Sequence, residues 1–120
     1  MIGASRTDFF YGELPEYVKF AVIDSASSGN NEIIAAKTGT KFRVLSYALV
    51  SAGSVNTRFE SSADGTALTG QMNFVANTGI CCSHNPLGWF ETKKGESLNL
   101  ELSAAVSVDG HLTYIEVNDE

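Results

Sequence analysis

From Tyr17 onward, apolar side chains recur at every second position, the period of a strand with one face buried. Val18, Phe20 and Val22 alternate with Lys19, Ala21 and Ile23, and a short apolar strand is predicted over Glu32–Lys37. Val55, Thr57 and Phe59 point one way while Asn56, Arg58 and Glu60 point the other. Leu98, Leu100 and Leu102 alternate with Asn99, Glu101 and Ser103, the clearest period of two in the chain. Between Lys41 and Ala52 both faces read as apolar, with Phe42, Val44, Ala48 and Val50 on one and Leu45, Tyr47 and Leu49 on the other. A strand of that kind is central and covered twice, by the core of its own domain and by a partner. No ten-residue window carries a period of 3.6, so no helix is predicted.

Clusters of turn-forming residues punctuate these strands: 24–31, 38–40, 53–54, 61–65, 77–79 and 93–95. Asn85-Pro86-Leu87-Gly88 is the strongest breaker, because proline donates no ladder hydrogen bond. Asp109-Gly110 reads as a two-residue hairpin between a strand ending at Val108 and one covering 112–117. Eight or nine strands with turns every 8–12 residues predict a single all-β domain, an antiparallel β-sandwich over residues 17–120. Residues 1–16 read as a short N-terminal arm in which Phe9, Phe10 and Tyr11 follow one another without a period. Those rings either tuck onto their own domain or anchor on a neighbouring subunit, since aromatics dominate interface cores.

Composition narrows the function classes. The 120 residues are 43% hydrophobic and 18% charged, which excludes a disordered chain. Eight Lys and Arg against fourteen Asp and Glu give a net charge of −6, the wrong sign for displacing counterions from nucleic acid. No apolar run approaches membrane-span length, so no membrane partner is expected. The N-terminus lacks the basic and apolar regions of a secretory signal, and synthesis in a reducing cytoplasm is expected. Cys81 and Cys82 are adjacent, which on an extended strand places them on opposite faces, so two free thiols are expected, one buried.

The residues that carry chemistry are few. Cys81, Cys82 and His84 lack metal-ligand spacing, and splayed neighbours on a strand make a poor nucleophile–base pair. Glu91 and Glu101 fall on solvent-facing positions, and His111 is expected exposed beside its turn. No enzymatic activity, metal or cofactor is expected. Trp89 and Phe90 are adjacent on a strand, so one ring plugs the sandwich while the other meets a loop or an interface.

In order along the chain, Gly65-Thr-Ala-Leu-Thr-Gly70, Asn85-Pro-Leu-Gly-Trp-Phe-Glu-Thr92, Gly95-Glu-Ser-Leu-Asn-Leu100 and Gly110-His-Leu-Thr-Tyr-Ile-Glu-Val117 resemble small β-sandwich virion proteins of tailed bacteriophages. The resemblance covers roughly residues 40–117 and is carried by structural motifs. It implies a jelly-roll fold and, for so short a chain, a capsid decoration (cement) protein on the outer surface of the head. Its partner would then be the major capsid protein, its location the virion, and its state a homo-oligomer, a trimer in preference to a dimer to match the local threefold symmetry of the shell. The interface residues would be Phe9, Phe10, Tyr11, Tyr47, Trp89 and Phe90. The other role open to such proteins is receptor or carbohydrate binding on a tail or fibre, with Trp89, Tyr47 or Tyr114 as stacking platforms.

Overall fold

The computed structural model describes residues 18–118. Among them are ten strands and no helix: β1 (Lys19–Ser25), β2 (Gly29–Ile34), β3 (Lys41–Ser51), β4 (Val55–Ser61), β5 (Thr66–Ala67), β6 (Met72–Phe74), β7 (Thr78–Cys82), β8 (Phe90–Glu91), β9 (Leu98–Leu102) and β10 (Val108–Val117). They form two antiparallel sheets packed face to face as a β-sandwich. The first runs β1-β10-β3-β7, with β8 also paired to β3. The second runs β2-β9-β4-β5, with β6 also paired to β4.

The period of two explains the core. Leu98, Leu100 and Leu102 all point inward with Val55 and Phe59 of β4. They meet Ile23, Leu49, Val108 and Leu112 of the first sheet. Each such side chain removed from water contributes on the order of 2 kcal/mol. Thr57 and Ser61 share that interior, and the Thr57 hydroxyl donates to the Glu101 carbonyl at 2.7 Å.

Two expectations fail for identifiable reasons. β3 does not divide into the two apolar faces that strict alternation assigns. Opposite β10, Ser46 faces Thr113 and Val44 faces Tyr114, so Leu45 is an extra residue in the ladder. This bulge reverses the phase of the strand. Phe42, Val44, Tyr47 and Leu49 therefore share the core, and the outer face carries Arg43, Ser46, Ala48 and Val50. Asp109-Gly110 is also no hairpin. Both residues lie inside β10, paired to β1 on one side and β3 on the other. The chain turns earlier, over 103–107, where Val106 N–H donates to the Ala104 carbonyl and Ala52 N–H to the Ser107 carbonyl. Glycine is needed at 110 because a Cβ there would run into the Ala48 carbonyl oxygen.

The region between β7 and β8 is pinned to the bulge. Asn85 N–H donates to the Leu45 carbonyl at 2.9 Å and Trp89 N–H to the Val44 carbonyl at 2.8 Å. Inside the loop the Asn85 side chain accepts from Leu87 N–H, and Gly88 adopts a φ of 88° with Arg43 packed where a Cβ would stand. β7 and β8 thus pair with successive stretches of β3, separated by a seven-residue excursion, 83–89.

Candidate interaction surface

Several apolar side chains meet solvent on the outer face of the first sheet, and others, Leu87, Val75 and Trp89, do so in the loops. The register orders that face in rows. One row runs Val22, His111, Ala48, Cys81, and the next runs Asp24, Asp109, Val50, Gly79. On the other side lie Phe20, Thr113 and Ser46, the last two joined by a 2.6 Å hydroxyl hydrogen bond. Phe20 is 78% exposed and Val22 77%, both on β1 at one edge of the sheet. At the opposite edge a shallow, open depression of about 260 Å³ is lined by Ala48, Leu49, Val50, Gly79, Ile80 and Cys81. Gly79 is tight by construction, since a Cβ would meet the Leu49 carbonyl.

Asp24 and Asp109 face each other across the end of this surface. Partial desolvation, then a hydrogen bond to Asp24 and its charge, pushes the Asp109 carboxyl above its ordinary pKa. Toward the other end, Glu91 of β8 pairs with Arg43 at 2.9 Å and Lys41 at 3.5 Å.

The outer face of the second sheet is of another kind. Glu60 is 1% exposed although it points away from the core. Arg58 Nε lies 2.7 Å from Glu60 Oε2 and 3.1 Å from Glu101 Oε1. The turn after β4, with Ser62 and Asp64 at positive φ, brings Asp64 to Asn30 on β2, whose amide donates to it at 2.7 Å. Glu60 Oε1 and Asn30 Oδ1 are buried acceptors without a donor. A hydrogen bond with Glu60, then burial and the Glu60 charge, raises the Glu101 pKa against the opposing pull of Arg58. Sequence alternation places Glu60 and Glu101 in solvent; the burial of Glu60 is a long-range feature that alternation does not encode. Glu91 and Glu101 lie on different sheets and form no pair.

Of the residues anticipated as an interface, Phe9, Phe10 and Tyr11 lie outside the described residues, as does the whole arm, 1–16. Tyr47 is a correction: it is 7% exposed and sits in the core, its ring edge-on to Phe59 at 5.3 Å. The bulge at Leu45 is what turns it inward. Burial and the neighbouring Cys82 thiol hold its phenol well above the ordinary value. Phe90 is likewise internal, 5.0 Å from Phe59 and 5.8 Å from Tyr47 between ring centroids. Trp89 points the other way, 46% exposed, its indole N–H donating to the Ser83 carbonyl at 2.9 Å. Tyr114 packs edge-on to Phe42 at 5.7 Å, so the three rings considered for sugar stacking share no surface. Phe20 and Val22 were assigned to a strand without being singled out. The signal available was their place outside the Ala21–Ile23 alternation on an edge strand.

Both cysteines are free; Cys81 is exposed and Cys82 packs against the core. His111 is exposed within β10. Among the described residues no three of His, Cys, Asp and Glu are grouped to hold a metal ion. No protein-family model matches the chain, and no curated protein matches its sequence at a significant level.

Proposed function

We propose that this protein is a non-enzymatic assembly component that works by adhesion, in its most specific form a capsid decoration protein on a tailed-phage head. The observation that carries the reading is the outer face of the first sheet, where Phe20 and Val22 of β1 and Val50 and Cys81 of β3 and β7 meet solvent on either side of the polar Asp109, His111 and Thr113 of β10. Large apolar side chains exposed together on one face, rimmed by polar ones, mark interaction sites. The motif order along residues 40–117 supports the phage assignment, and a module repeated over a lattice needs only modest contacts multiplied by avidity.

The strand order supports a jelly roll. Counting β7 with β8 and β5 with β6 as interrupted single positions leaves four positions per sheet, β1-β10-β3-β7 over β2-β9-β4-β5. That order follows from winding two Greek keys together, the arrangement jelly rolls use in capsid and lectin domains.

Co-sedimentation with heads of the parent phage tests the assignment. Saturable binding at a fixed number of copies per major capsid subunit supports decoration. Pelleting with host envelopes or retention on oligosaccharides, with no binding to heads, would move the protein to the receptor-binding class.

A further inference from the structure

We propose that β7 is a docking strand: an extended, uncharged segment of a partner protein adds to its free edge and seats one apolar side chain in the depression beside it. The inference rests on the adhesive reading and names the element that adheres and the form its partner takes.

Backbone direction singles out the groups involved. Ala52 N–H donates to the Ser107 carbonyl, so the even-numbered residues of this end of β3 turn their peptide groups toward β10. The odd-numbered ones turn theirs toward β7: Asn77 N–H donates to the Ser51 carbonyl, and the Leu49 carbonyl lies against Gly79. Across the ladder Thr78, Ile80 and Cys82 face Ser51, Leu49 and Tyr47, and their peptide groups are directed at β3. Gly79 and Cys81 direct their N–H and C=O groups the other way, off the sheet, where no described strand pairs with them. Both residues are exposed.

The other sheet edges are blunted and β7 is not. β1 carries Lys19 and Asp24, and β2 carries Glu32 with a break in register before Ile34. β5 and β6 are only two and three residues long. Charge, bulges and shortness are the ordinary protections of an edge against a further strand. β7 has five residues in unbroken register with β3, none of them charged and none a proline.

An added strand also finds a seat for a side chain. It would lie about 4.8 Å beyond β7, and its residue opposite Gly79 would point to the same outer face. The depression of about 260 Å³ opens there, and no charged residue lines it. Gly79 sets no side chain in the way, and none would fit, since a Cβ would meet the Leu49 carbonyl. Such a lining accepts an apolar side chain and penalises a charged one. Main-chain bonds give strand addition its affinity, and the side-chain seat gives it selectivity.

Cys81→Pro tests the edge without touching the ladder. It deletes the outward N–H at 81, and proline is tolerated on an edge strand where that N–H faces solvent. Cys81→Ser keeps the N–H and is the matched control. Wild type and both full-length variants are panned against a displayed library of random decapeptides. Wild type and Cys81→Ser should select the same peptides, apolar at one fixed position. Cys81→Pro should bind them about tenfold more weakly, the loss of one hydrogen bond at a crowded edge. Circular dichroism should show Cys81→Pro folded; if it is not, Ala48→Glu, which sets a charge in the depression, replaces it with the same expected loss. Amide exchange at Gly79 and Cys81 should be fast beside Ile80 in the free protein and slow on peptide binding. No selected peptide, peptides that bind Cys81→Pro as wild type, or Gly79 and Cys81 amides already protected in the free chain would each overturn the proposal. So would a wild-type dimer that Cys81→Pro dissolves, because a second β7 would then hold this edge. Heads of the parent phage separate the proposal from the capsid reading. Heads that bind wild type and Cys81→Pro alike sink the docking strand and leave decoration standing. Edge-dependent peptides without head binding support the docking strand and remove decoration.

Discussion

The two outer faces of the sandwich solve the same problem in opposite ways. Each sheet needs only its inner face for the core. The second sheet ties its outer side together with its own polar groups: Asp64 of the turn at 62–65 accepts from Asn30, and Arg58 holds the Glu60 and Glu101 carboxylates. The first sheet leaves Phe20, Val22 and Val50 in water and carries no ion pair over the rows that contain them. A face built from polar side chains can be largely closed within one copy by such contacts, here at the cost of two buried acceptors, Glu60 Oε1 and Asn30 Oδ1, left without a donor. An apolar face is completed only by removal from water, and along these rows the described residues supply no cover. The difference ties one face to the stability of the single copy and leaves the other as the surface on which the proposed adhesion rests.

Glu60 is where that division breaks most visibly. Glu60→Ala removes the carboxylate that Arg58 bonds at 2.7 Å, and because Arg58 keeps water and Glu101 the cost should be that of one charge-assisted hydrogen bond, about 1–2 kcal/mol. Val22→Ser on the opposite face should change the stability of the monomer by less than about 0.5 kcal/mol. Urea unfolding of both variants in dilute solution measures the contrast. Equal losses would mean that both faces contribute alike to folding.

How far this contrast was legible in the sequence depends on the range of the interaction that decides each position. Leu98, Leu100 and Leu102 were readable because alternation is local, and β9 carries it without interruption. Tyr47 was misplaced because a single bulge residue, Leu45, reverses every assignment after Val44. Asp109-Gly110 has the chemistry of a tight turn, yet Gly110 answers to the Ala48 carbonyl of a strand sixty residues earlier. Glu60 looked solvated because alternation puts it on the outer face, and the contacts on that face, among them the one between residues 30 and 64, join positions far apart in the chain. The exposed pair Phe20 and Val22 was half legible: the period marked them as one face, but only the pairing of β1 at a sheet edge tells which face is outside.

Acid should separate the carboxylates of the two ends. Because the Glu101 pKa is raised on folding, its ionisation opposes the fold at neutral pH, and stability is regained as pH falls through the raised value toward the ordinary carboxylate range. Glu116 behaves oppositely. A hydrogen bond from Lys37, aided by Lys19 and opposed by burial, lowers its pKa, so its contribution is present above the ordinary range and lost as pH falls through the depressed value. Glu101→Gln mimics the protonated carboxyl, placing a donor beside the Glu60 carboxylate. It should be at least as stable as wild type at neutral pH and show a flatter profile on the acid side. The effect is smaller than that of Glu60→Ala, since Glu101 keeps part of its hydration. Asp64→Ala tests the turn itself. It removes the 2.7 Å bond from the Asn30 amide and should cost about 0.5–1 kcal/mol, with faster amide exchange over 62–65. Unchanged exchange there would mean that the turn holds its place without Asn30.

The smallest effect sharpens the comparison from the side of the apolar face. Asp24 and Asp109 are directly opposite on neighbouring strands, and like charges in that position oppose pairing. Asp109→Asn keeps the size and the hydrogen-bonding capacity of the side chain while removing one charge. Monomer stability at neutral pH should rise by a few tenths of a kcal/mol, read as a small increase in Tm in dilute solution. The gain should shrink with added salt, because both groups are solvent-exposed and screened within a Debye length of about 10 Å at 0.1 M. It should also vanish as pH falls through the raised Asp109 pKa, where the wild-type pair already shares a proton. On the second sheet no such salt response is expected for Glu60→Ala, whose charge is out of water. A salt-insensitive Asp109→Asn would mean that this end of the apolar face is already covered in solution, and the line drawn between the two faces would then have to move.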